Sequence, residues 1–181
     1  MLGLALTATS AAQAATLAGV EVEDTLQAGG ATLQLNGAGL RDRFFIKLYV
    51  AGLYTEAGSG AAEEIRQADA PMAITLDIVS DRVTRDKMIE ALNDGFATAT
   101  GGDTAPVADG MARLQAAMGD TMSAGSSMTF AYEPGIGTRV SRDGTEQAVI
   151  EGLPFKQALF GIWLSDRPVD KKVKTGLLGS R

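Results

Sequence analysis

The chain has 181 residues, 45% hydrophobic and 21% charged, the size and balance of a single domain that can bury its own core. It holds no cysteine and no histidine, which excludes disulfides, thiolate chemistry and imidazole bases and leaves any catalysis to Arg, Lys, Tyr, Asp or Glu. A net charge of −6 with no concentrated basic patch argues against a nucleic-acid partner.

Leu2 to Leu6 form a short apolar core, and Ala12-Gln13-Ala14 is a small-x-small cleavage site. Together they predict a signal peptide over 1–14 and a mature domain over 15–181, soluble in the periplasm, although no Lys or Arg precedes the apolar core. The stretch is broken by Thr7, Thr9, Ser10 and Gln13 and is too short to span a bilayer. No transmembrane segment is expected after cleavage.

In the mature part, Val20 to Glu23 and Thr32 to Leu35 read as strands around a Gly29-Gly30 turn. Asn36-Gly37-Ala38-Gly39 reads as a glycine-rich turn into a long strand, Arg43 to Thr55. On that strand Phe44, Ile46, Leu48 and Val50 form an apolar face. Arg43, Phe45, Lys47 and Tyr49 form a mixed one. Gly58-Ser59-Gly60 ends it, and Ala61 to Ala68 is a short helix with acids in its first turn, stopped by Pro71. Met72 to Val79 alternates as a strand.

The period then lengthens. Thr84 is placed to cap a helix carrying Met88, Ile89, Leu92 and Phe96, ended by Gly101-Gly102. Pro106 opens another, with Val107, Met111, Leu114 and Met118 on one stripe. Three strands follow: Ser127 to Tyr132, Thr138 to Ser141, and Thr145 to Glu151 after the Asp143-Gly144 turn. The C-terminus is helical twice, Phe155 to Leu164 and Val169 to Leu177, with Pro168 between. This order predicts an α+β fold, a largely antiparallel sheet with helices packed on one face.

Gly37-Ala38-Gly39 is not a dinucleotide fingerprint, because the third glycine and the following helix are missing. The two glycines fit positive backbone angles or a close approach. Arg41 and Arg43 share one sheet face; they suit either a carboxylate clamp or solvated pairs with Asp42 or Glu56. The charged groups Arg82, Arg85, Asp86 and Lys87 read as a solvated helix start, and Asp166 and Arg167 as a cap region. The helix around Trp163 is apolar nearly all round, hence buried, with Gly161 leaving a gap for a neighbour or a ligand. No carboxylate pair is spaced for glycoside chemistry. Neither a metal nor a cofactor is expected.

Asn36-Gly37-Ala38-Gly39-Leu40-Arg41, then residues 45–54, resembles the opening of chalcone isomerase-like domains. The end resembles the family as well: Phe155 to Leu164, Pro168, and Leu177-Leu178-Gly179. The resemblance is greatest to a bacterial exported branch and implies the family's open-faced sandwich. The family includes plant enzymes that cyclise chalcones to flavanones, and fatty-acid-binding relatives. Arg41 matches the plant enzymes' arginine. Tyr49 stands where they have a threonine, and Thr84 and Ala91 where they have a tyrosine and an asparagine. Gly161 stands near a last polar position. With only the arginine kept, the resemblance implies a non-catalytic protein that takes a small apolar carboxylate such as a fatty acid between sheet and helices. Arg41 would hold the carboxylate, with Tyr49 and Lys47 as further contacts. Two other readings stay open. An isomerase acting on a conjugated carbonyl would need the Tyr49 hydroxyl within reach of Arg41 in an accessible pocket. An assembly partner would lack a pocket and expose an apolar patch.

Overall fold

The computed structural model describes residues 15–56 and 60–179; the expected signal segment 1–14 and the Gly58-Ser59 breaker lie outside them. Ala15–Leu17 (β1) and Val20–Val22 (β2) form a separate hairpin. Seven strands follow in one sheet: Thr25–Ala28 (β3), Ala31–Arg43 (β4), Ile46–Thr55 (β5), Met72–Ile78 (β6), Ser127–Glu133 (β7), Gly137–Arg142 (β8) and Thr145–Ile150 (β9). Their spatial order is their sequence order, and every pairing is antiparallel. Each connection is therefore a hairpin or a helical excursion returning beside its origin. The predicted α+β class holds.

The helices are Ala62–Gln67 (α1), Arg85–Ala99 (α2), Ala108–Ala117 (α3), Leu153–Leu164 (α4) and Lys171–Leu177 (α5). A 3₁₀ turn at Ala105–Val107 leads into α3. None of the described helices is long and apolar enough to cross a membrane. The main core lies between the helices and one sheet face, where Leu53, Ile74, Leu76 and Phe130 meet Leu159, Phe160 and Trp163 of α4. Nine of the twelve α4 residues are buried, which explains a helix with no polar stripe. Trp163 stacks on Phe130, ring centroids 6.1 Å apart. The opposite sheet face carries a smaller cluster, Val50, Tyr54, Ala73 and Ala131, with Val22, Leu17 and Val20 of the β1–β2 hairpin packed against it.

Two expectations are corrected. Residues 36–39 are strand, not turn: β4 runs without reversal to Arg43, and neither Gly37 nor Gly39 has positive φ. The two glycines serve close approach instead. A Cβ on Gly39 would sit 2.8 Å from the Val173 backbone, and one on Gly37 would strike the Gly176 carbonyl, so α5 lies directly on β4. The reversal is at Phe44-Phe45, a two-residue loop between paired Arg43 and Ile46. Both residues have positive φ, 50° and 64°, as a type I′ hairpin requires. Phe44 therefore belongs to no buried face and is 80% exposed. The expected alternation also fails at Leu48, which the pairing skips: Arg41 faces Tyr49 and Asp42 faces Lys47. This bulge shifts the phase of β5, so Tyr49, Ala51 and Leu53 face the helices.

Candidate functional site

The bulge decides the site. Before it, Ile46 and Leu48 point to the helix side and Lys47 away. After it, Tyr49 joins Ile46 and Leu48 on that side, and Arg41, its cross-strand neighbour, stands beside it. Together they form one wall of an open cleft of about 720 Å³, within the range of small-molecule sites. The second wall is α2, contributing Met88, Ala91, Asp94 and Gly95. Its position is fixed by the Thr84 hydroxyl, which accepts the Lys87 N–H, and by Gly95, which lets the helix settle against Ile162 of α4. The third side is the α4–α5 connection, Arg167-Pro168-Val169.

At the inner end, one oxygen collects two donors. Trp163 Nε1 donates to Tyr49 Oη at 3.0 Å, and Arg41 Nη1 donates to the same oxygen at 3.4 Å. The Arg41 guanidinium lies 5.7 Å from the Tyr49 ring centroid. Tyr49 is 4% exposed, its ring packed in the main core, and the residue lines the cleft. With both acceptor positions of that oxygen used, its O–H is left to donate. Among the described residues Arg41 makes no salt bridge. A half-buried cation and an adjacent hydroxyl donor thus sit side by side over an apolar floor of Leu48, Val83 and Met88. That arrangement offers two hydrogen-bond donors to one anionic group of two oxygens.

Of the predicted site residues, the structure brings Arg41 and Tyr49 together and leaves Lys47 outside the cleft, exposed on the other side of the hairpin. Three cations read from sequence as solvated or capping groups also line the cleft: Arg82, Lys87 and Arg167. They come from loops and a helix start whose position depends on packing with distant segments, and no local pattern marks them. Of the positions compared with the plant enzymes, Ala91 lines the cleft without a polar atom. Thr84 is engaged as a helix cap. Gly161 faces Ala99 and Arg66, so a neighbouring helix fills its gap.

Comparison with solved structures gives likenesses in fold. A fatty-acid binding protein of Arabidopsis thaliana superposes with a TM-score of 0.68 at 18% sequence identity, over 88% of this chain and 92% of that one. No curated protein sequence matches the chain. The sequence profile of the chalcone isomerase-like family matches residues 14–179, nearly the whole length. The meander sheet, its helical cover and this match lead to one conclusion: the chain belongs to the chalcone isomerase-like family.

Proposed function

We propose that this protein is a non-catalytic carrier of a small apolar carboxylate, a fatty acid or a close analogue, held in the cleft with its carboxylate on Arg41 and Tyr49. The observation that carries the reading is the pair itself: a half-buried guanidinium with no carboxylate partner among the described residues, beside a hydroxyl whose acceptor capacity is already used. An anion with two oxygens satisfies both donors, and its chain lies along Leu48, Val83 and Met88. The fold likeness to a protein described as fatty-acid binding supports the same ligand class. The apolar stretch and small-x-small site read in residues 1–14 support an exported carrier, and we propose a periplasmic location and an exported bacterial branch for it.

A second reading draws on the same contact. Tyr49 Oη lies within reach of Arg41 in an accessible cleft, as an isomerase acting on a conjugated carbonyl would require. Ala91 adds no polar group to extend that pair, which favours binding over catalysis. Native mass spectrometry of the mature protein from its own host, followed by lipid extraction, tests the carrier reading. The expected result is a co-purifying fatty acid that is lost in Arg41→Ala. An empty protein whose Arg41→Ala variant binds a fatty-acid panel as wild type does would overturn it. Turnover of an enone that depends on Tyr49 would move the assignment to the isomerase.

A further inference from the structure

Phe44 and Phe45 lie outside both core clusters. They are 80% and 104% exposed, among the few large apolar side chains that are, and they form the tip of the β4–β5 hairpin. Both hold positive φ, a conformation that bulky residues rarely adopt and that Asn-Gly fills without strain. Two strained aromatic residues facing solvent call for a role outside the folded core.

Their surroundings define that role. The Arg43 guanidinium lies 5.3 Å from the Phe44 ring centroid. Phe44 lines the mouth of the cleft, and Ile46 and Leu48 carry the apolar track inward to Tyr49. The same cleft is lined by five cations, Arg41, Arg43, Arg82, Lys87 and Arg167, against two acids, Glu90 and Asp94. That is a surplus of three positive charges in a chain of net charge −6. None of the five forms a salt bridge among the described residues. An aromatic tip beside unpaired Arg and Lys matches the two layers of an anionic bilayer surface: rings enter the interfacial zone while cations meet lipid phosphates.

We infer that the Phe44–Phe45 hairpin tip and its cationic rim dock this protein on an anionic lipid bilayer, with the mouth of the cleft against the membrane. The chemistry selects a lipid surface over a protein groove, because the apolar element is a two-residue point beside a surplus of positive charge. Passage of the apolar ligand between bilayer and cleft rests on the carrier reading; the docking itself does not.

The test is co-sedimentation of the mature protein with mixed phosphatidylglycerol–phosphatidylcholine vesicles, compared with pure phosphatidylcholine. Wild type is expected to bind the anionic vesicles and to be released by high salt. Phe45→Gly is expected to bind them about tenfold more weakly or worse. Glycine relieves the positive φ at that position, so the variant folds, and an unchanged melting temperature verifies it. Phe44→Asn combined with Phe45→Gly supplies a favoured type I′ pair and is expected to abolish sedimentation.

Wild type that ignores anionic vesicles, or Phe45→Gly that binds them as wild type does, overturns the inference. So does a tip variant that changes the oligomeric state of the protein in solution, which would assign the tip to a second copy of the chain. Phe45 does not line the cleft, so fatty-acid affinity measured without vesicles separates the two proposals. Fatty-acid binding without vesicle binding defeats the docking surface alone. Vesicle binding without fatty-acid binding defeats the carrier reading alone.

Discussion

Lys156 is fully buried on α4, and its ammonium donates to the carbonyls of Ile65, Arg66 and Ala68 at 2.9, 2.9 and 2.7 Å. These are C-terminal carbonyls of α1, a six-residue helix too short to stand alone. The ammonium also lies 5.5 Å from the Tyr132 ring centroid and 5.3 Å from that of Phe160. Burial pushes its pKa down to about 8; Asp69 opposes the shift and Arg66 adds to it. At neutral pH the group is still charged and supplies all three bonds. Lys156→Met leaves those carbonyls without a donor and is expected to cost about 3 kcal/mol, read by denaturant unfolding, with α1 amides exchanging first. The pH dependence has a fixed sign. Between pH 8 and the ordinary lysine value the unfolded chain binds the proton that the folded chain has lost, so stability rises with pH. The gap between wild type and Lys156→Met is expected to widen by about 1–2 kcal/mol from pH 8 to 10. Tyr54 and Tyr132, both raised to about 12, lower stability only above pH 10, and do so in both proteins. A gap that narrows over that range would show that the three carbonyls hold the proton more firmly than burial repels it.

At the scale of elements, the contact between β4 and α5 depends on three glycines. Gly37 and Gly39 bare the strand, and Gly176 bares the helix, whose Cβ would strike the Ala38 carbonyl. Asn36 Nδ2 completes the contact, donating to the Leu177 carbonyl at 2.7 Å. Gly39→Ala is expected to push α5 outward and cost about 2 kcal/mol, seen as a fall of about 6 °C in Tm. A Tm within a degree or so of wild type would show that α5 can slide without loss. Composition marks such glycines without saying which of their uses applies, which is why residues 36–39 read as a turn. The true turn escaped for the opposite reason: Phe44-Phe45 has no turn chemistry and continues an apolar pattern. Where local pattern and tertiary need agree, the sequence was legible. Thr84 caps α2, Met88, Leu92 and Phe96 form its buried stripe, and Asp143-Gly144 reverses β8 into β9 with φ of 49° and 77°. Arg41 was singled out by its match to the family's arginine and Tyr49 by the mixed strand face; that the two meet depends on the pairing of β4 with β5, which no local pattern states. The bulge that parts Tyr49 from Lys47 was not legible, because a one-residue phase shift leaves no compositional trace.

Over the whole molecule, the cleft is walled by three separate parts of the fold: the β4–β5 hairpin, α2 and the α4–α5 connection. A ligand spanning them ties the hairpin to the helical layer and stabilises the native state by mass action, about 2.7 kcal/mol at a hundredfold excess over Kd. For a domain of this size that is a rise of about 5–10 °C in Tm. The chain as a whole repels anions, but the positive surplus at the cleft dominates within a screening length of about 10 Å at 0.1 M salt. The carboxylate should therefore matter as much as the chain. A long-chain fatty acid is expected to raise the Tm of delipidated protein, while its methyl ester, equal in apolar length, raises it much less. High salt should shrink the acid's shift and leave the ester's alone, and Arg41→Ala should make acid and ester alike. Equal shifts for acid and ester in the wild type would mean that the cleft reads only apolar length, and that the Arg41–Tyr49–Trp163 contact holds the hairpin on α4 instead of receiving a carboxylate.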